Sequence, residues 1–222
     1  MAVTLDNEFA DLILKFTDKA GIALTGEQAH LLSLHIQLML QWNTRLNLTR
    51  ITGREEIAVK HLLDSILPAK FLPSSGNALD VGTGAGFPGI PLKIVYPGLE
   101  MVLLDSSRKK VSFLATVAAA LGLKKIRAVH GRWQDFSGVG EHLAKFQLIT
   151  MRALKLEPEH ITSLASPVLA PGGFLAWWGS SGEGGRGKLT DKTYSDMVFQ
   201  GGFNYLLPGI QQERSVCIWK KT

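Results

Sequence analysis

The residues able to do the most chemistry are consecutive: Asn77-Ala78-Leu79-Asp80-Val81-Gly82-Thr83-Gly84-Ala85-Gly86-Phe87-Pro88-Gly89. A short apolar run enters a loop whose glycines alternate, and Asp80 stands just before the first of them. Glycines let a backbone turn sharply and approach a ligand closely, because no Cβ intervenes. A glycine turn between a strand and a helix is where open α/β sheets hold nucleotide-like cofactors. A carboxylate at the loop's mouth does nothing for a pyrophosphate, but it suits a cationic, hydroxyl-rich ligand without phosphate. S-adenosyl-L-methionine is such a ligand, with a sulfonium, an ammonium and a ribose. Asp80, Gly82, Gly84 and Gly86 therefore point first to a methyl donor and second to a dinucleotide. Asp105 closes the next apolar run, Met101-Val102-Leu103-Leu104-Asp105, at the place where an acid bonds the ribose hydroxyls of an adenosine cofactor. A dinucleotide enzyme would share that acid, and an N-cap for a helix starting near Ser107 would use it too. Phe87 either covers the cofactor or packs inside.

The acceptor is read by elimination. Methyltransferases acting on exocyclic amines carry an Asn/Asp-Pro-Pro-aromatic motif after the fourth strand, and here that strand ends Ile149-Thr150-Met151-Arg152-Ala153. Methylation at pyrimidine C5 needs a cysteine nucleophile; the single cysteine, Cys217, sits in an apolar strand and reads as a packed core thiol. An acceptor with a free lone pair remains. Guanine N7 needs alignment with the donor but no prior loss of a proton. Trp177 and Trp178 offer π surface near the end of the fifth strand, or ordinary core packing. His61 and Asp64, at i and i+3 of a helix, either line a cleft above the glycine loop or form an idle surface pair. The run Gly182-Glu183-Gly184-Gly185-Arg186-Gly187-Lys188 mimics a phosphate-binding loop, but Leu189 replaces the hydroxyl that ligates magnesium. No His, Cys and acid cluster has metal-ligand spacing, so no metal is expected.

The elements that must position these groups are legible from periodicity. Phe9, Leu12, Ile13 and Phe16 fall at helical spacing. A second helix is expected over 26–43, opened by a Thr25/Gln28 capping box, with a stripe of Leu31, Leu34, Leu38 and Trp42. A third, over 54–67, should stop at Pro68. Strands are expected at 78–81, 101–105, 126–130, 146–151 and 173–178, alternating with helices near 88–96, 107–121 and 158–169. Leu169-Ala170-Pro171-Gly172-Gly173 reads as a turn. Two late strands, 203–207 and 214–219, should pair as an antiparallel hairpin. Residues 1–72 form an N-terminal helical cap and 73–222 the cofactor-binding domain, in one compact unit.

Composition sets the class. The 222 residues are 45% hydrophobic and 19% charged, as in soluble globular proteins. No apolar run is long enough to span a membrane, and the N-terminus lacks signal-peptide features, so a cytoplasmic monomer is expected. The net charge is +5. Residues 106–134 hold seven basic side chains (Arg108, Lys109, Lys110, Lys124, Lys125, Arg127, Arg132) and no acid. Such a stretch suits a polyanion; a solvated helix surface would read the same.

Over most of its length the chain resembles the bacterial RsmG family, also called GidB, the 16S rRNA guanine-N7 methyltransferases. The resemblance rests on Trp42-Asn43, Leu46-Asn47-Leu48-Thr49, His61-Leu62-Leu63-Asp64-Ser65, the loop extended through Pro88-Gly89-Ile90-Pro91-Leu92, Leu103-Leu104-Asp105-Ser106 and Lys109-Lys110-Val111. Gly131-Arg132-Trp133-Gln134-Asp135-Phe136, Arg152-Ala153 and the segment around Arg214 continue it. It implies a Rossmann-like class I S-adenosylmethionine-dependent methyltransferase fold, with a mostly parallel seven-stranded α/β sheet, helices on both faces and the helical cap. It implies transfer of a methyl group to N7 of a guanine in the decoding-region loop of 16S rRNA, free or in the 30S subunit, with S-adenosyl-L-homocysteine as product. Matching positions place Gly82 and Phe87 on the donor, Asp105 and Ser106 at its adenosine end, Trp133 and Gln134 at the adenine and Arg152 at the donor site. His61 and Asp64 join Arg152 as candidate catalytic residues. Arg108, Lys109, Lys110, Arg132, Arg186 and Lys188 are the candidates for holding RNA. Trp178 stands where the family commonly has a lysine, so Arg186 or Lys188 substitutes for it, or RNA affinity is lower, or Trp178 stacks on a base. A nucleotide-dependent oxidoreductase and a non-catalytic RNA-binding relative are the alternatives.

Overall fold

The computed structural model describes residues 6–152, 156–180, 196–209 and 213–222. Two helices open the chain, α1 (Asn7–Lys19) and α2 (Gly26–Leu46). Asp6 caps the first, accepting from the Phe9 amide at 3.0 Å. The capping box of the second is complete: Thr25 Oγ1 accepts from the Gln28 amide and Gln28 Oε1 from the Thr25 amide. The expected stripe on α2 is shifted. Ala29, Leu32, His35, Ile36 and Met39 are the residues at 0–1% exposure, whereas Leu31, Leu34 and Trp42 are only partly buried. Both faces of this helix have a neighbour, since α1 packs on one side and the sheet's helices on the other, so a single-stripe reading cannot find its centre.

The third helical stretch is compound. It starts as α3 (Arg54–Ile57), loosens into a π-helical segment (Ala58–Leu63), tightens in α4 (Asp64–Ile66) and runs on as a 3₁₀ segment (Leu67–Phe71). Pro68 does not stop it. Proline occupies the second position of the 3₁₀ segment, where its missing N–H costs little.

The rest is a strand–helix alternation: β1 (Ser75–Val81), α5 (Gly89–Val95), β2 (Gly98–Asp105), α6 (Arg108–Ala120), β3 (Ile126–His130), α7 (Trp133–Ser137), β4 (Phe146–Arg152), α8 (Pro158–Ala165), β5 (Leu169–Ser180), β6 (Met197–Leu206) and β7 (Glu213–Lys221). The sheet has seven strands in the order β3-β2-β1-β4-β5-β7-β6. The first five are parallel to their neighbours, and β7 runs antiparallel to both β5 and β6. The expected turn at 169–173 belongs instead to β5, as an irregularity in its pairing with β4: Phe146 pairs with Leu169 and Leu148 with Phe174. Gly172, at φ +76°, accommodates the extra residues. The short helix α7 was not foreseen; five residues are too few for a periodic signal.

Alternation along the strands assigns the two faces. Ala78, Met101, Leu103, Leu148, Ala176, Val216 and Ile218 share one core with α1, α2, α5 and α6. Leu79, Val102, Leu104, Ile149, Met151, Leu175, Trp177, Cys217 and Trp219 form the other, with α7 and α8. The N-terminal helices thus add to one face of the sheet and share its core. No helix among the described residues is long and apolar enough to cross a membrane.

Candidate functional site

The strand order reverses between β1 and β4, and a crevice at the carboxyl ends of parallel strands is where such sheets bind ligands. A cavity of about 320 Å³ lies there, lined by Val81, Gly82, Leu104, Asp105, Ser106, Gly131, Arg132, Trp133, Gln134 and Leu156. Of the residues expected at the cofactor, Gly82, Asp105, Ser106, Trp133 and Gln134 come together around it. Gly131 and Leu156 were missed; neither has a side chain that announces chemistry. Arg132, expected on RNA, also lines this cavity. A larger cavity, about 620 Å³, sits against α3 and Pro208 and contains none of the expected residues.

Asp105 is not the cap of α6, whose N-cap position is Ser107. One carboxylate oxygen accepts from the Gly84 amide at 3.0 Å and the other from the Ser107 amide at 2.8 Å, next to the start of α6. It ties the glycine loop to that helix while facing the cavity, at 6% exposure. The loop itself needs its glycines. Gly82, Gly84 and Gly86 have φ of +66°, +60° and +93°, backbone that side chains rarely adopt. A Cβ on Gly86 would also lie 2.4 Å from Ile90 Cδ1.

Asp80 has a different place from the one expected. It lies under the loop, fully buried, and not at its mouth. Its Oδ2 accepts from the Gly89 amide at 3.0 Å and its Oδ1 from Thr150 Oγ1 at 2.8 Å. Burial pushes its pKa up to about 6, against the opposing pull of these hydrogen bonds. A carboxylate in this position shapes the loop's far end and reaches a ligand only through the backbone it holds.

Phe87 packs inside, at 5% exposure. His61 stacks on its ring at 4.8 Å, His35 leans against it at 4.8 Å, and the Arg152 guanidinium lies 5.1 Å from its centroid. His35 donates from Nε2 to the Ala85 carbonyl at 2.8 Å, and burial lowers its pKa to about 4. His61 meets Thr49 Oγ1 at 2.9 Å; burial first, then the Arg152 charge, lowers its pKa to about 3. Both imidazoles are neutral near pH 7.

Asp64 follows the π segment that holds His61 and is buried, at 5% exposure, and not on an open helix surface. Its carboxylate meets Arg152 NH1 at 3.3 Å and Tyr205 OH at 2.8 Å, with Arg214 Nε at 4.0 Å. Its carbonyl accepts from Trp178 Nε1 at 2.8 Å. Trp178 is 3% exposed, so the expectation that it stacks on a base is overturned: its face is buried and its N–H is committed. Burial lowers the Arg152 pKa, while the charges of Asp64 and Asp80 hold it up. Tyr205 carries no signal in the local pattern; β6 brings it to this group from the far edge of the sheet.

Cys217 is buried, with its thiol pushed up to about 11 by burial. Among the described residues no group of His, Cys, Asp and Glu is arranged to hold a metal. Of the basic stretch, Arg108, Lys109 and Arg132 are exposed and Lys110 partly so, all at the cavity's end of the sheet. Lys124 and Lys125 precede β3 at the opposite end, so the stretch is not a single face. Arg186 and Lys188, with most of the expected loop 179–188, lie outside the described residues.

Comparison with known proteins agrees with this geometry. The family model for GidB, rRNA small subunit methyltransferase G, matches residues 28–214. Ribosomal RNA small subunit methyltransferase G 1 of Syntrophobacter fumaroxidans is 46% identical over 207 residues, covering 92% of this chain and 93% of its own. Ribosomal RNA small subunit methyltransferase G of Moorella thermoacetica is 37% identical over 216 residues, covering 95% and 89%. Among solved structures, P. horikoshii TYW2 in complex with MeSAdo aligns with a TM-score of 0.56 at 13% identity, over 72% of this chain and 62% of that one. MtNAS in complex with MTA and tNA aligns at 0.54 and 12% identity, over 97% and 86%. At such identities these two speak for the fold alone.

Proposed function

The chain belongs to the rRNA small subunit methyltransferase G family, and from that premise we propose that it transfers the methyl group of S-adenosyl-L-methionine to N7 of a guanine in the decoding-region loop of 16S rRNA. The observation that carries the donor is the 320 Å³ cavity at the carboxyl ends of β1, β2 and β3, with the Asp105 carboxylate and the Gly82 backbone on its wall. Its volume falls at the lower end of small-molecule sites, which run from roughly 300 to 1,000 Å³. Bound there, the donor supplies an electrophilic methyl group.

The chain's own groups then have limited work. Asp105 and the exposed backbone of Gly82 and Ser106 hold the adenosine end. Trp133 and Gln134 border the adenine side. Arg152 is a buried cation whose charge is balanced by Asp64 and Asp80, and it orders the loop through Phe87. His61 has a pKa of about 3, and Asp80, at about 6, is fully buried with both oxygens hydrogen-bonded, so neither is placed to take a proton from an acceptor. Guanine N7 presents a lone pair and needs no base, so alignment suffices. The thiol of Cys217 is buried and protonated, which leaves covalent C5 chemistry without a nucleophile.

Arg132 lines the cavity and exposed Arg108 and Lys109 open α6 at the same end of the sheet; these cations would meet phosphates of the RNA, with the target guanine unstacked to reach the methyl group. The chain acts as a cytoplasmic monomer, with the 30S particle or its rRNA as substrate and no metal. Titration calorimetry with S-adenosyl-L-methionine and with NADH tests the donor assignment. Binding of the first and not the second is expected; the opposite pattern would overturn it.

A further inference from the structure

The sheet carries a second cavity, of about 340 Å³, at the end opposite the donor site. Asn77, Glu100, Met101, Val102, Lys125, Ile126, Arg127, Lys145 and Phe146 line it. Its cations come from separate segments: Lys125 and Arg127 from the entry to β3, and Lys145 from the entry to β4. All three are exposed. Lys125 meets Glu100, the one acid in the lining, at 2.6 Å. Arg127 and Lys145 make no side-chain bond or ion pair among the described residues. The groove is therefore net positive, and exposed Lys124 adds to it.

The position of this groove gives it a purpose. Val102 and Phe146 in its lining belong to the same core face as Val81 and Leu104 in the donor cavity. Both cavities thus open on one face of the sheet, at opposite ends, along the edge made by β3. From Lys125 to Arg132 is at most about 23 Å of extended chain at ~3.3 Å per residue. A nucleic acid strand covers that reach in about seven stacked nucleotides at ~3.4 Å each. The connecting segment carries exposed Asp135 and Glu141 as well as Arg132, so the charge is concentrated at the two ends.

We infer that this groove is a second phosphate-backbone contact for the RNA substrate, gripping the strand a few nucleotides away from the guanine that enters the donor site. The idea rests on the reading of the substrate as rRNA. Neighbouring groups feel charges of both signs: after burial, Glu141 raises and Lys145 and Arg127 lower the pKa of His142, while Lys125 lowers and Glu100 raises that of buried Lys93. The neighbouring Lys93 is committed, donating to the Pro97 and Leu99 carbonyls where the chain turns from α5 into β2. Arg127 and Lys145 are left over.

The test uses the full chain carrying Arg127→Gln and Lys145→Gln together, at positions where no bond is broken. Binding to 16S rRNA is measured by filter retention across a salt series, and methyl transfer at saturating donor. The inference expects about tenfold weaker RNA binding, a salt slope smaller by about 1.5–2 for two lost phosphate contacts, a raised KM for RNA, and unchanged kcat, donor affinity and Tm. An unchanged salt slope and KM would overturn it. So would weaker use of 30S particles with normal binding of free rRNA, which would mean that the groove faces ribosomal protein. Absence of methyl transfer by the unaltered chain would instead overturn the functional reading, while the binding arm would still decide on the groove.

Discussion

Asp64→Asn is the perturbation that most directly probes the buried charge behind the glycine loop. The substitution keeps the side chain's shape and leaves an oxygen for the Tyr205 hydroxyl, which now donates to the carboxylate at 2.8 Å. It removes the negative charge 3.3 Å from Arg152 NH1, where the two side chains are 7% and 16% exposed. Breaking a buried ion pair from one side costs about 3–5 kcal/mol, because the remaining charge is left without compensation. Asp80 still opposes the Arg152 charge, so the lower end, about 3 kcal/mol, is expected. For a chain of this size each kcal/mol moves Tm by roughly 2–4 °C, so Tm should fall by about 6–12 °C. Adding Arg152→Met removes the stranded cation, and the double variant should recover part of the loss, with a coupling of about 2 kcal/mol in the cycle. Thermal melts followed by circular dichroism give all four corners, and methyl transfer should be lost in every variant that disturbs Arg152. A Tm for Asp64→Asn within 2 °C of the parent, or strictly additive single effects, would refute the reasoning.

Other outcomes follow from single contacts. Gly86→Ala places a Cβ 2.4 Å from Ile90 Cδ1 at φ +93°; left-handed strain of about 1–2 kcal/mol and overpacking of about 1–3 kcal/mol should add, seen as a lower urea midpoint and weaker donor binding. Asp105→Ala unpairs the Gly84 and Ser107 amides; donor affinity should drop more than tenfold with RNA binding unchanged, and the reverse pattern would remove Asp105 from the donor site. His35, with a folded pKa of about 4 against an ordinary 6.5, contributes stability that is present above pH 6.5 and lost as pH falls towards 4, because only the unfolded chain takes up the proton there. At ~1.4 kcal/mol per pH unit that is about 2 kcal/mol between pH 6.5 and 5. His35→Gln, which keeps a donor for the Ala85 carbonyl, should show a correspondingly smaller loss in denaturant titrations at the two pH values.

The sequence carried the glycine loop, Asp105 and the strand–helix alternation because each depends on local pattern: φ greater than zero, an acid at a strand end, a change of hydrophobic period. What it did not carry depends on tertiary neighbours. Asp80 reads as a ligand group until the sheet folds β4 beside it and Thr150 takes one oxygen. Trp178 reads as a stacking platform until α4 brings the Asp64 carbonyl to its N–H. The π segment is itself invisible to a 3.6-residue period. Tyr205 is 141 positions from Asp64, a separation that no spacing rule spans. The basic stretch 106–134 was read as one surface, but the βαβ crossover sends its two halves to opposite ends of the sheet.

The central claim is methyl transfer to guanine N7. It is tested most directly by incubating the purified chain with isotopically labelled S-adenosyl-L-methionine and 16S rRNA, free and in 30S particles, then digesting the RNA and locating the label by mass spectrometry. The account predicts label in 7-methylguanosine at one position of the decoding-region loop. Label on an exocyclic amine or a pyrimidine C5, or no label in either substrate with the donor bound, would contradict it.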